Sequence, residues 1–170
     1  MNPDPGFVVE ALSWLDDRAS FRCGAEQLDN YFHRQARQDI RKRATACFVA
    51  VDLESGKVAG FYTLAASAVA LSDLPETLAK RLPRYPSVPV ARMGRLAIDQ
   101  AYQGRRLGAA MLWDAASRVA KSEVMAFALI VDAKDETAQA FYLHHGFVNF
   151  GSLPLCLILP LASIPALPPS

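Results

Sequence analysis

Apolar positions along the chain fall into short blocks that switch between strand and helix spacing. Phe7–Leu12 is a short extended start. Beyond Cys23-Gly24, residues Leu28, Tyr31, Phe32 and Gln35 stand near i, i+3, i+4 and i+7, which predicts a helix with one apolar stripe and an Arg/Gln outer face. Ala46–Asp52 predicts a strand, Glu54-Ser55-Gly56-Lys57 a hairpin turn, and Val58–Ser67 its antiparallel partner. Ser72–Leu82 predicts a short helix with Pro75 in its first turn, ended by Pro83 and the Pro86/Pro89 segment, and the next strand is expected over Val90–Ile98.

The later half repeats the alternation. Leu107, Met111, Leu112, Ala115, Ala116 and Val119 have helical period, placing a helix over Leu107–Lys121, and Met125–Val131 is the nearly continuous apolar run of a buried strand. Asp135 is placed to cap a helix over Glu136–His144, with Gly146 as its C-terminal glycine. The chain then returns through Phe147–Phe150 to a last strand near Leu155–Leu159, and the tail Ile164–Ser170, with three prolines, is expected to be loosely ordered. Strand, glycine-containing turn, helix and strand in succession predict an α/β fold.

Composition narrows this picture. At 170 residues, 52% hydrophobic and 21% charged, residues 1–170 fit a single domain able to bury a full core. The longest apolar run, Phe61 to Leu74, is interrupted by Thr63, Ser67, Ser72 and Asp73 and falls short of the roughly 20 residues of a spanning helix. The start Met1-Asn2-Pro3-Asp4-Pro5 lacks the basic and apolar segments of a secretory leader, so a soluble, cytoplasmic protein is expected, with no membrane partner. Cys23, Cys47 and Cys156 are odd in number, far apart and without CxxC spacing, which argues against a disulfide framework and against a metal site. The net charge is only +1, yet Arg34, Arg37, Arg41, Lys42 and Arg43 crowd one helix end against the single acid Asp39.

Two segments carry candidate chemistry. Gln103-Gly104-Arg105-Arg106-Leu107-Gly108-Ala109 lies between a strand and a helix, where unpaired backbone N–H groups and the positive helix end converge on an anion. Gly104 and Gly108 remove Cβ atoms that would block close approach, and Arg105 and Arg106 add charge. Taken alone, such a turn is more often an ordinary tight connection. Tyr142, taken alone, reads as a helix aromatic packed on the sheet with its hydroxyl at the surface.

Context decides between these readings. Met93–Ala120, followed after a strand by Asp135-Glu136-Thr137-Ala138-Gln139-Ala140-Phe141-Tyr142-Leu143-His144-His145-Gly146-Phe147, closely resembles the GNAT superfamily of N-acetyltransferases, and the likeness extends from Phe21 to Pro160. The resemblance implies a GNAT fold: a mixed, mostly antiparallel sheet, splayed at the acetyl-CoA site and flanked by helices. It implies that acetyl-CoA is the co-substrate, that Gln103–Ala109 wraps its pyrophosphate with Arg106 where the middle glycine of the motif is usual, and that Asp135 stands where an Asn often touches the pantetheine. It further implies that main-chain groups of Leu96, Ala97 and Ile98 receive the pantetheine arm like an added strand, an N–H there serving as the oxyanion hole. Tyr142 matches the tyrosine that protonates the departing thiolate; a phenol of pKa about 10 stays protonated at pH 7 and can donate to a thiolate of pKa about 8.5 to 9. Phe141 is expected in the core, and His144 and His145 have no role in the match.

A narrower resemblance is to the GNAT toxins of bacterial type II toxin–antitoxin modules. It rests on Phe21-Arg22-Cys23-Gly24 with Leu28-Asp29-Asn30-Tyr31, the Gln35–Arg43 segment, Gly60-Phe61-Tyr62-Thr63-Leu64, Gly94-Arg95-Leu96-Ala97-Ile98, Ala133-Lys134-Asp135-Glu136 and Leu159-Pro160-Leu161. Such toxins acetylate the α-amino group of aminoacyl-tRNA, so the resemblance implies that acceptor, a ribbon-helix-helix antitoxin as partner and a homodimer. Candidate phosphate contacts are Arg34, Arg37, Arg41, Lys42, Arg43, Arg84 and Arg92. Some of these can instead meet an acidic antitoxin tail, or simply form a solvated helix face. The rivals are an acetyltransferase for a small amine or a protein amine, and a non-catalytic acyl-CoA-binding or regulatory module. Tyr142 weighs against the second, and no helix-turn-helix segment favours autonomous DNA binding.

Overall fold

The structure is a computed structural model and describes residues 6–164. Met1–Pro5, on which the leader argument rests, and the tail beyond Ile164 lie outside the described residues. Seven strands form one mixed sheet in the order β1-β2-β3-β4-β5-β7-β6. These are β1 Phe7–Ala11, β2 Ala46–Asp52, β3 Val58–Ala70, β4 Ser87–Ile98, β5 Ala128–Asp132, β6 Val148–Asn149 and β7 Cys156–Pro160. The helices are α1 Glu26–Asn30, α2 Ala36–Arg41, α3 Glu76–Ala79, α4 Leu107–Ala120 and α5 Glu136–His144. By internal contact the chain divides into two units, Met1–Ala65 with Gly94–Ala115 and Ala66–Met93 with Ala116–Ser170, so β3, β4 and α4 contribute to both.

In the first unit, β1 pairs with β2 and β2 with β3, both antiparallel, with Val49 opposite Phe61. Strand alternation gives β3 two faces. Phe61 stacks on Phe32 at 4.4 Å between centroids, inside a core that also holds Phe21, Tyr31, Ala36, Cys47, Val49 and Ala97. The alternate residues look the other way: Tyr62 donates its hydroxyl to Asp114 of α4, and Gly60 lies so close to α4 that a Cβ there would come within 2.8 Å of the Met111 sulfur.

The helical segment over Phe32's side holds a surprise in phase. Between α1 and α2, Tyr31–Gln35 forms a π-helical turn, whose i→i+5 bonding inserts extra backbone into the helix. The apolar stripe is therefore delayed by one residue. Ala36 is buried and Gln35 exposed, the reverse of what an unbroken helical period predicts.

In the second unit, β5 runs parallel to β4 from Val90↔Ala128 to Met93↔Val131 and antiparallel to β7, which also pairs antiparallel with β6. Leu74, Leu78, Val88, Val90, Ala128, Ile130 and Ile158 form its core. Three sequence expectations shift here. The helix expected over Ser72–Leu82 contracts to the single turn of α3, with Pro75 at its N-cap rather than inside its first turn, after a 3₁₀ turn at Leu71–Asp73. β5 starts later than Met125 because its register with β4 begins at Ala128, leaving Val124 and Met125 almost fully exposed. β4 starts earlier than Val90 and accommodates Pro89 because the neighbouring chain uses only its carbonyl, which accepts the Phe127 N–H at 2.8 Å.

α5 is fixed at both ends by local chemistry. The Asp135 carboxylate accepts the Ala138 N–H at 2.8 Å. At the other end Gly146 takes φ +94, Gly146 N–H donates to Leu143 O and Phe147 N–H to Tyr142 O, each at 3.1 Å, and the Phe147 ring packs on Tyr142. This is the doubly bonded helix stop that favours glycine. No helix among the described residues is long and apolar enough to cross a membrane.

Candidate active site

The turn into α4 is held from behind. Asp99 accepts N–H groups from Arg22 and Ala101, each at 2.9 Å, and its own N–H reaches Ala59 O at 2.8 Å. Tyr102 packs edge-on against Phe7 and donates its hydroxyl to Asp52 at 2.7 Å, a bond that leads the causes holding the Asp52 carboxyl down to about 2. The Gln103 amide donates to Cys23 O and Ile98 O, each at 3.0 Å, so this side chain clamps the turn to the end of β4 and occupies the Ile98 carbonyl.

With its back secured, the front of the turn is open. Gly104 has φ +83 and nothing within 4 Å of where a Cβ would stand. Arg106, where the middle glycine of the motif is usual, has φ +60 and is exposed. The position thus keeps the left-handed backbone that glycine normally supplies, while its side chain points to solvent. Its carbonyl accepts the Ala110 N–H at 3.2 Å, which makes Arg106 the residue before the first turn of α4. The N–H groups of Leu107, Gly108 and Ala109 therefore have no intrahelical acceptor and converge at the positive helix end, beside the Arg105 guanidinium stationed over the Tyr102 ring. This is the shape and charge that an oxyanion such as a phosphate fits.

Tyr142 sits in α5 of the second unit, buried, with its ring between Phe141 at 5.3 Å and Phe147 at 5.4 Å. Burial pushes its phenol up to about 12, and its hydroxyl has no hydrogen-bond partner among the described residues. Phe141, expected in the core, is only half-buried and lies against His145, whose pKa is lowered by burial and by His144 beside it. One oxygen of Asp135 is committed to its cap. Leu96 and Ile98 are half-buried and Ala97 is buried in the core of the first unit.

Of the basic candidates, Arg34, Arg37, Arg41, Lys42 and Arg43 are exposed along the helical segment and its end, and Arg84 is exposed in a loop of the second unit. Arg92 is different: Asp132 pairs with its guanidinium, so it is not a free cation. Arg95, which stands in the Gly94–Ile98 segment of the toxin resemblance, is not among those candidates. Its guanidinium lies 3.5 Å from the centroid of the Tyr31 ring; Tyr31 donates to Asp39 at 2.9 Å, and Gln35 donates to the other Asp39 oxygen at 2.9 Å. A signal existed, because strand alternation puts Arg95 in step with buried Ala97. Among the described residues no cluster of three or more His, Cys, Asp or Glu could hold a metal ion.

The profile of the Acetyltransferase (GNAT) family matches residues 9–147. The chain belongs to that family. It is 37% identical over 150 residues to a protein of Mycobacterium tuberculosis named tRNA-acetylating toxin, covering 87% of this chain and 88% of the relative. Among solved structures, AtaT complexed with acetyl-methionyl-tRNAfMet superposes with a TM-score of 0.86 at 28% identity, over 92% of this chain and 96% of that one. A Tyr-to-Phe mutant of the AtaT toxin, bound to the C-terminus of the antitoxin AtaR and acetyl-CoA, superposes with a TM-score of 0.78 at 25% identity, over 93% and 95%. This acetyltransferase is therefore an acetyl-CoA-dependent acyltransferase of the GNAT fold.

Proposed function

We propose that this acetyltransferase is a toxin that moves the acetyl group of acetyl-CoA onto the α-amino group of an aminoacyl-tRNA, which blocks translation. The observation that carries this reading is the 37% identity, over 87% of the chain, with a protein named tRNA-acetylating toxin. The exposed run Arg34–Arg43 supports it, because a polyanionic acceptor needs phosphate contacts that give affinity without sequence information. The family match spans residues of both units, which supports treating residues 1–170 as one N-acetyltransferase domain.

The residues divide the work as follows. Gln103 braces the turn while the N–H groups of Arg106–Ala109 bind the pyrophosphate, with Gly104 leaving room and Arg105 and Arg106 adding charge. Main-chain groups of Leu96, Ala97 and Ile98 hold the pantetheine amides, Asp135 is a further pantetheine residue, and an N–H of the Leu96–Ile98 segment stabilises the oxyanion. The thioester supplies an acyl group activated for attack by an amine. As the C–N bond forms and the C–S bond breaks, Tyr142 gives its proton to the departing thiolate, and the proton lost by the attacking nitrogen returns the phenol to its neutral form through solvent. The burial that raises Tyr142 to about 12 raises a thiolate in the same surroundings too, which limits the mismatch between donor and acceptor. An α-amino group has a pKa of about 7.7 to 8.0, lowered further by esterification of its carboxyl, so a neutral fraction exists without a dedicated base and no covalent enzyme intermediate is required.

The AtaT–AtaR complex supports an antitoxin partner, and the toxin resemblance supports a ribbon-helix-helix antitoxin, a homodimer and a cytoplasmic site of action. Incubating the protein with labelled acetyl-CoA and total charged tRNA should label the amino acid of the ester, and leave deacylated tRNA unlabelled. Labelling of a small amine or a protein, with charged tRNA never labelled, defeats the toxin reading but not the acetyltransferase assignment.

A further inference from the structure

We infer that Arg95 binds a phosphodiester of the acceptor, the one next to the aminoacylated nucleotide; this rests on the proposal that the acceptor is an aminoacyl-tRNA. Arg95 is half-buried, and among the described residues its guanidinium makes no hydrogen bond or salt bridge; it stacks on Tyr31 at 3.5 Å and is near enough to Asp39 that, after the Gln35 hydrogen bond, it helps hold that carboxyl below its usual range. None of its nitrogens is among the buried atoms left without a partner, so its N–H donors face solvent and are free to be given to an anion.

The guanidinium is also held in place before any ligand arrives. It lies over the ring of Tyr31, Tyr31 is tied to Asp39, and Asp39 is tied to Gln35 and accepts the Ala44 N–H on its main-chain carbonyl at 2.9 Å. The π-helical turn spans Tyr31 to Gln35, the two residues that grip Asp39. Loosened turns of this kind are frequent at functional sites. A planar guanidinium lying over a ring turns its N–H edge sideways, and that edge fits two oxygens of a tetrahedral phosphate.

Position identifies which phosphate. Arg95 directly precedes Leu96, Ala97 and Ile98, and at a strand rise of about 3.3 Å per residue it stands within roughly 10 Å of all three. Its other neighbour, Gly94, is exposed and has no positive φ, and a glycine inside a strand often marks a place where a ligand approaches the backbone. A Cβ on Gly94 would touch the Thr63 hydroxyl at 3.4 Å, itself buried and without a partner. An anion at Arg95 thus lies beside the strand segment proposed to hold the reacting carbonyl, and on the acceptor the nearest anion to the reacting amine is the phosphodiester of the terminal nucleotide.

The test compares two minimal acceptors, an aminoacyl ester of adenosine and the same ester of cytidylyl-adenosine, which adds one phosphodiester. In Arg95→Gln the ratio of kcat/KM for the dinucleotide over the nucleoside ester should fall about 10- to 100-fold, the range for a lost hydrogen bond to a charged group. Arg95→Lys, which keeps the charge but loses the fork and the stack, should fall between the two. Acetyl-CoA affinity should stay as in the wild type and the thermal midpoint should fall by no more than roughly 2 to 4 °C, the loss of one cation–π stack, separating this role from a structural one. An unchanged ratio overturns the assignment. So does a variant that keeps the ratio but loses affinity for an acidic peptide, which would give Arg95 to a protein partner. Wild-type protein that acetylates neither ester and no charged tRNA removes the acceptor reading itself, a different failure from an unchanged ratio in a protein that acetylates both.

Discussion

Replacing Arg106 by glycine should stabilise the protein while leaving acetyl-CoA binding nearly intact. Arg106 holds φ +60, a conformation that costs a residue with a Cβ about 1 to 2 kcal/mol. Glycine relieves that cost but gains freedom in the unfolded chain, which takes back about 0.4 to 1 kcal/mol. The side chain is exposed, so little packing is lost. The net gain is about 0.5 to 1 kcal/mol, which for a chain of 170 residues raises the thermal midpoint by roughly 1 to 4 °C. An exposed charge contributes at most about 1 kcal/mol to the grip on the pyrophosphate, so calorimetry should show a Kd raised no more than about fivefold. Arg106→Ala is the control: it removes the same charge but keeps the strain, and its midpoint should not rise. A lowered midpoint in Arg106→Gly, or a Kd weakened beyond about 30-fold in both variants, would show that the side chain and not the left-handed backbone shapes this turn.

Gly60→Ala should destabilise by about 1 to 3 kcal/mol, because its Cβ would meet Ile98 and Met111 side chains at 2.8 Å and the Ala97 carbonyl at 3.0 Å; denaturant titration giving less than about 0.5 kcal/mol refutes the crowding. Thr63→Val should raise stability by about 1 kcal/mol by removing a buried hydroxyl that has no partner, and a loss of stability would reveal a partner such as an ordered water. Tyr142→Phe should lower kcat by roughly 10² to 10⁴ with acetyl-CoA affinity retained, and wild-type turnover would make Tyr142 structural. Because the Tyr142 phenol titrates higher folded than unfolded, its contribution is intact below about pH 10 and is lost as pH climbs toward about 12; Tyr142→Phe should therefore resist alkaline unfolding better than the wild type by up to about 2 kcal/mol.

What could be read from the sequence was what is decided locally. β2 and α5 have the boundaries their patterns predict, because a hairpin turn follows the one and Asp135 and Gly146 bracket the other. The turn of Gln103–Ala109 into α4 was legible for the same reason, and Arg106 takes the left-handed backbone that glycine usually supplies. Boundaries set by partners were not legible. Nothing in Met125–Phe127 tells that the ladder with β4 begins at Ala128, and the helical look of Ser72–Leu82 yields once Leu74 and Leu78 are drawn into the second core. The joint role of Arg95 and Asp39 is not legible for a related reason: one is a strand charge and the other a lone acid among arginines, until the fold brings both to Tyr31.

The π-helical turn links that network to the basic run. An α-helix advances about 100° per residue, so one residue of extra backbone at Tyr31–Gln35 rotates all of α2 by about that angle relative to α1. Without it, the phase set by Leu28, Tyr31 and Phe32 would turn Gln35 inward and carry Ala36 out of the core. Arg37 and Arg41 would rotate with them, and Asp39 would no longer stand under the Tyr31 hydroxyl. With it, Ala36 is buried, Arg37 and Arg41 are exposed, and Tyr31 is anchored where Arg95 can stack on it. One local departure from helical regularity thus fixes both which way the exposed cations face and where the stacked one is held. Such turns persist only when surrounding contacts over-determine them, and here the stacked pair Phe32 and Phe61 and the two hydrogen bonds to Asp39 supply those contacts.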